Sequence, residues 1–223
     1  MRPTTPLPLL QSAYRTPARL IHRCVLALFI CSPLVLSGCI TGKQVETRFY
    51  VLDSMPANEP ALAGATRSPP LAVDIAALRL PQYLERPQIV TRTANNELKL
   101  AEYHQWGGNL AKNIMRITAR NLARLLDTAQ ITIFSRRPPK APDVRVEIDV
   151  LQFERGPDTR VALSAQWRLL AGDDGHPKLA RISELYSKPL TSKAPIAATI
   201  RAMSELIGEL DREIANAIIA TSQ

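Results

Sequence analysis

The sequence is short of the residues that most enzyme chemistry starts from. It has 3 histidines, 3 cysteines and 9 glycines in 223 residues, and aromatic side chains make up 5%. So few glycines leave little scope for a phosphate-cradling loop, and there is no G-x-S-x-G elbow, Walker loop or dinucleotide-binding turn. Neither His104 nor His176 has a partner at HxxxH or HxH spacing, which argues against a zinc site, and His176 sits in an Asp-Asp-Gly-His-Pro turn expected at the surface. No cofactor is expected. The 18 prolines exclude a chain-wide coiled coil. With 46% hydrophobic and 22% charged residues, the chain is neither collagen-like nor wholly disordered. Its length suits one domain with accessory segments.

Acidic residues are missing altogether from residues 1–38, which carry Arg2, Arg15, Arg19 and Arg23 ahead of the apolar run Cys24 to Leu36. The run is short of the roughly 20 residues that a stable membrane span needs, so it reads as a secretory leader. It ends in Leu36-Ser37-Gly38-Cys39, which resembles the bacterial lipoprotein box, with Cys39 as the lipidated residue. Residues 39–46 then form a lipidated tether, and residues 47–223 one domain. Removing the leader removes four arginines and no acid, so the net charge falls from +8 to +4 and the case for nucleic-acid binding weakens with it. Cys24 and Cys31 leave as well, and acylation consumes the Cys39 thiol, so no internal disulfide can form. Two or three acyl chains make attachment effectively permanent. By resemblance to proteobacterial lipoproteins, Ile40 in place of an aspartate favours sorting to the outer membrane, with the chain on the periplasmic face.

The mature chain reads as strands around two helices. Thr47 to Leu52 is β-branched and aromatic and begins within about ten residues of the lipid. Residues 54–70, rich in proline, alanine and serine, form a loop. A strand runs from Leu71 toward Leu80, and Gln88 to Arg92 with Glu97 to Leu100 predicts a hairpin turned at Asn95-Asn96. From Asn109 the period becomes helical for about 17 residues, with Leu110, Ile114, Ile117, Leu122 and Leu125 on one stripe and Lys112, Arg116, Arg120 and Arg124 on the other side. That basic ladder reads either as a solvated face or as a contact for anionic headgroups or an acidic partner. Ile131 to Phe134 predicts a short strand, followed by the exposed basic turn Arg136 to Lys140. Val144, Val146, Ile148 and Val150 alternate with Arg145, Glu147 and Asp149, and the phase breaks at Val150-Leu151, which predicts a bulge. Val161 to Leu169 and Leu179 to Ser187 complete a meander turned at Asp173-Asp174-Gly175. Pro195 opens a final helix with Ile196, Ile200, Met203, Ile207, Leu210, Ile214 and Ala217 on its apolar stripe. The fold class is therefore α/β: a two-layer sandwich of a mixed, largely antiparallel sheet with two amphipathic helices packed on one face.

The one dense chemical cluster is Ala101-Glu102-Tyr103-His104-Gln105-Trp106. It offers an acid and an imidazole for hydrolysis, or a structural junction in which the aromatics pack and the polar groups bond nearby backbone. Leu80-Pro81-Gln82-Tyr83-Leu84-Glu85-Arg86-Pro87-Gln88-Ile89-Val90-Thr91-Arg92, together with Leu100 to Trp106 and Asn121-Leu122, resembles the PqiC-type auxiliary lipoproteins of ABC-type lipid transport systems. Gly107-Gly108 departs from the charged or helix-favouring residues expected after the tryptophan. The resemblance implies a non-enzymatic accessory of a transporter built from a permease, an ATPase and an MCE-domain lipid-carrying protein, acting in phospholipid trafficking and envelope integrity.

Pro81 and Pro87 stiffen the segment between them, so Tyr83, Leu84, Glu85 and Arg86 are candidates for partner binding, with His104 and Trp106 beside them. The alternative is that Tyr83 and Leu84 tuck into the core. A homo-oligomer matching a ring-shaped partner is one expectation. A structural or assembly lipoprotein that binds peptidoglycan or an outer-membrane barrel is the competing reading.

Overall fold

The strand with the longest charge alternation is the axis of the fold. The computed structural model describes residues 45–133, 141–172 and 174–222. In chain order these give β1 (Arg48–Tyr50), β2 (Val73–Arg79), β3 (Gln88–Arg92), β4 (Leu98–Trp106), α1 (Leu110–Leu125), β5 (Ile131–Ile133), β6 (Val144–Arg155), β7 (Val161–Ala171), β8 (Pro177–Tyr186) and α2 (Ile196–Thr221). A single 3-10 turn spans Gln82–Leu84. The leader, Cys39, Phe134, the Arg136 to Lys140 turn and Asp173 lie outside the described residues.

All eight strands belong to one mixed sheet. β7 runs antiparallel along one edge of β6 and β8 along β7, while β6's other edge is shared in sequence by two strands. β2 pairs Val73–Arg79 with Val144–Asp149, and β3 meets β6 at Thr91 and Arg155, both parallel. β2 and β3 are thus two segments of one lane, interrupted where proline brackets the chain. β5 adds outside β2, β4 outside β3 and β1 outside β4. Four pairings are parallel and short, and the two longest ladders are antiparallel, so the sheet is mixed as the sequence predicts.

The predicted bulge falls between Val150 and Gln152. Strict alternation from Val150 would turn Phe153 outward; the extra residue resets the phase, leaving Leu151 50% exposed and Phe153 fully buried. The inner face then presents Val146, Ile148 and Phe153 opposite Leu169, Trp167 and Leu163. The helices cover that face, α2 over β6, β7 and β8, α1 over β2 and β5. Each fully buried side chain of this size contributes roughly 1.5–3 kcal/mol. Trp167 donates its Nε1–H to Ser183 Oγ at 2.9 Å, so even the largest core side chain has its polar atom paired. The opposite face carries Arg79, Glu147, Asp149 and Arg168 in a lattice of ion pairs.

The hairpin turns where expected, with Asn96 at φ 61°. α1 starts at Leu110, and Asn109 accepts the Lys112 N–H at 2.9 Å as its cap. The Gly107-Gly108 departure has a physical reason. A Cβ on Gly107 would sit 3.3 Å from Val51 Cγ1, and Gly108 adopts φ 148°, so both glycines let the chain turn closely past β1 into the helix.

Candidate docking site

The two sequence blocks that carry the family resemblance meet in space. Trp106 donates its backbone N–H to Pro87 O at 2.7 Å, and Gln88 pairs with Gln105, so the bracketed loop and the end of β4 form one structural unit. Beneath the loop lies Glu154, fully buried on β6. Its carboxylate accepts from Tyr83 OH (2.7 Å), Arg92 Nε (2.8 Å), Gln152 Nε2 (3.0 Å) and the Phe153 N–H (3.1 Å). Arg92 also lies 5.7 Å from the centre of the Tyr83 ring. Burial, and then the hydrogen bond to Glu154, push the Tyr83 hydroxyl well above its ordinary value, so it stays a donor. Tyr83 thus pins the loop to a buried carboxylate whose remaining hydrogen bonds come from β3 and β6, where the lane is interrupted.

This placement corrects part of the predicted partner surface. Leu84 is 3% exposed and Trp106 6% exposed, so both are core residues that hold the loop from below. Tyr83 is half-buried with its hydroxyl turned inward, whereas Glu85 and Arg86 are exposed beside Gln82 and Pro87. The half-buried His104 receives or donates a 2.9 Å hydrogen bond at Nδ1 with Tyr50 OH, tying β1 to β4. Glu102 is exposed, and its side chain makes no hydrogen bond with His104. The geometry around His104 is that of a strand-to-strand tie.

A second polar system, absent from the sequence reading, holds the segment that follows β1. Residues 52–55 have no ladder partner, yet their backbone is satisfied by side chains of both helices. Leu52 N–H donates to Asn113 Oδ1 (2.7 Å), Asp53 N–H to Ser204 Oγ (3.1 Å) and Met55 N–H to Asn121 Oδ1 (2.8 Å). Arg124 donates to Met55 O. Leu52 and Met55 bury their side chains, and Gly208 on α2 admits Met55, whose Cγ lies 3.3 Å from where a Cβ would be. Asn121 also donates Nδ2 to Asp211 Oδ2 at 2.7 Å, both residues being fully buried between the helices. Burial pushes the Asp211 carboxyl up to about 7, against the opposing effects of Asn121, Thr118 and Arg212 beside it, and among the described residues its Oδ1 has no hydrogen-bond partner. The signal for this system was in the sequence: Asn121 and Asp211 interrupt stripes that are otherwise almost wholly apolar, Thr118 and Thr199 being the other buried polar side chains on the two helices.

Beside this strap lies an open groove of about 680 Å³, with Met55, Ile200 and Gly208 on its floor and Arg201, Glu205 and Arg212 along it. Among the described residues no three acidic, histidine or cysteine side chains gather in a way that could hold a metal ion. No helix among them is long and apolar enough to cross a membrane.

The family of ABC-type transport auxiliary lipoprotein components matches residues 50–215 of the chain, which agrees with the resemblance drawn from the two sequence blocks. Among solved structures, an uncharacterized protein superimposes with a TM-score of 0.61 at 17% identity, over 78% of this chain and 99% of its own. Protein XCC0632 from Xanthomonas campestris does so with a TM-score of 0.58 at 17% identity, over 80% and 95%. At that identity the likeness is one of fold. No curated protein matches the sequence.

Proposed function

The chain belongs to the ABC-type transport auxiliary lipoprotein component family, and from that premise we propose that it is a non-catalytic subunit of an MCE-type phospholipid transport system. In this reading Cys39 carries the lipid, the domain faces the periplasm from the outer membrane, and the subunit docks the periplasmic end of an MCE-domain conduit in support of envelope integrity. The observation that carries it is the extent of the match, which runs from β1 nearly to the end of α2 and so covers the described domain. The loop pinned on Glu154 supports a docking role. It holds Glu85 and Arg86 in a fixed, exposed geometry, so little ordering entropy opposes an encounter. Leu84 and Trp106 serve that surface from inside. A homo-oligomer around a ring-shaped partner is part of the same proposal.

Mild crosslinking of the intact protein in its native envelope tests the reading. An MCE-domain protein crosslinked through residues 82–87, with a ladder of self-crosslinked species, is the expected result. Recovery of barrel proteins or peptidoglycan alone would replace it with the structural or assembly reading.

A further inference from the structure

The cations in the basic ladder of α1 have no carboxylate partner among the described residues. α1 carries Lys112, Arg116, Arg120 and Arg124 and no acidic residue. Arg124 reaches the strap, but Lys112, Arg116 and Arg120 are exposed, and among the described residues none has a carboxylate within ion-pair distance. Like charges at i, i+4 and a lysine in the first turn both weaken a helix. A charge pattern kept against the interest of the helix points to an anion outside the chain.

Next to this ladder the fold leaves a group of exposed apolar side chains at the start of the domain. Val45, Phe49 and Val51 are 53%, 65% and 55% exposed. Phe49 and Val51 flank Gly107, whose missing Cβ would lie 4.0 Å and 3.3 Å from them, immediately before α1. Val51 and Arg116 line the same small cavity of about 60 Å³, so the apolar group and the ladder adjoin there. Glu46 and Asp53 are exposed acids in the same segment, which also carries the exposed Arg48. Five residues lie between Cys39 and Val45, so the chain can reach at most roughly 22 Å from one to the other.

We infer that this surface, Val45, Phe49 and Val51 with Lys112, Arg116 and Arg120, lies on the leaflet that holds the protein's own lipid, with the apolar group in the interface and the ladder on anionic phospholipid headgroups. The combination is that of an interfacial helix with an added apolar wedge. The inference rests on the Cys39-anchored reading proposed above. Its consequence is orientation: the open ion-paired face of the sheet points away from the bilayer.

The test uses the full chain, expressed with its leader and reconstituted from detergent into phosphatidylcholine vesicles with or without phosphatidylglycerol. An environment-sensitive fluorophore is placed on Ala123→Cys, between the arginines of the ladder and 84 positions from the anchor, or on Ile182→Cys, on the opposite sheet face. Brominated lipid should quench the Ala123 label on anionic vesicles and leave the Ile182 label untouched. High salt should reverse the effect. In a Lys112→Gln, Arg116→Gln, Arg120→Gln variant, the ratio of docked to undocked protein should fall about fivefold for each cation removed. These exposed glutamines keep the helix, which an unchanged melting curve verifies. Quenching of both labels, of Ile182 alone, or of Ala123 regardless of lipid charge overturns the inference. An Ala123 label that stays in water on anionic vesicles also overturns it, assigning the ladder to an acidic protein surface. A chain that fails to float with vesicles of either kind removes the anchored reading itself, and is distinct from one that floats but does not dock.

Discussion

Among the described residues, Glu154 and Asp211 are carboxylates with no solvent exposure at all, and they are treated in opposite ways. Glu154, under the proline-bracketed loop, receives four donors, among them Tyr83 from the loop and Arg92 from the end of β3. Asp211, between the helices, receives one hydrogen bond from Asn121 and leaves Oδ1 without a partner. A buried charge is tolerable when its acceptor positions are filled, and costly otherwise. The loop is therefore fixed by a satisfied group, while the strap that follows β1 is fixed through Asn121 by a group that protonation can relieve.

The comparison is broken most severely at Glu154. Replacing Glu154 with Ala leaves the Arg92 guanidinium and the Tyr83 hydroxyl without their acceptor, and a loss of about 3–5 kcal/mol is expected, in the range for removing one member of a buried pair. Urea unfolding followed by tryptophan fluorescence measures it, and a loss under about 1 kcal/mol would mean that packing by Leu84 holds the loop unaided. On the strap, Asn121→Leu removes the acceptor for Met55 N–H and the donor to Asp211 together, so a loss of about 1–3 kcal/mol is expected. The same variant should be cut faster by protease at residues 52–56, since the strap has no ladder to fall back on; an unchanged rate would show that Asn113 and Ser204 suffice.

Asp211 gives the comparison a pH axis. Its carboxyl is raised from 3.8 to about 7 in the folded chain, so between those values the folded chain holds a proton that the unfolded chain has lost. The proton-linked contribution is complete below about pH 4 and gone above about pH 7, and stability falls as pH rises across that window. Asp211→Asn keeps an acceptor for Asn121 and does not titrate. At pH 8 its Tm should exceed that of the parent by several degrees, 1 kcal/mol being worth roughly 2–4 °C at this size, and the advantage should vanish at pH 4. Parallel Tm curves for parent and variant across that range would show that Asp211 does not bear this load.

What could be read in advance divides along the same line. Periodicity exposed the strands, the bulge at Val150, both helices and the meander, because each follows from burying alternate or every third and fourth side chain. It missed the shared lane of β2 and β3, since pairing between strands far apart in sequence leaves no local trace. It also ended the hairpin strand at Leu100 and left Ala101 to Trp106 as either a hydrolytic cluster or a structural junction, whereas β4 runs through to Trp106, its last residues held by β1 and Pro87. Proline spacing correctly marked the loop at residues 81–87, yet exposure along it depends on Glu154, more than sixty residues later, and that decided Leu84 against the surface. Asn121 and Asp211 were visible as polar breaks in apolar stripes. Their partner Met55, in a loop without periodicity, was not.

The exposed counterpart of these buried systems is the ion-pair lattice on the open face, and it should matter least. Arg79 donates from Nε and, at 3.0 Å, from Nη2 to Asp149, and Arg168 bonds Glu147 at 2.7 Å. The hydrogen bond from Arg79 holds the Asp149 carboxyl below its ordinary value, so whatever stability the pair contributes is lost as pH falls through that lowered value. The Arg79 side chain is 55% exposed, which leaves most of the attraction to be screened by water. A double-mutant cycle with Arg79→Ala and Asp149→Ala should give a coupling of roughly 0.2–1 kcal/mol that shrinks in salt. A coupling that survives high salt and approaches the loss at Glu154 would break the comparison at its root. It would mean that bidentate geometry, rather than burial with filled acceptors, is what makes a carboxylate hold this fold together.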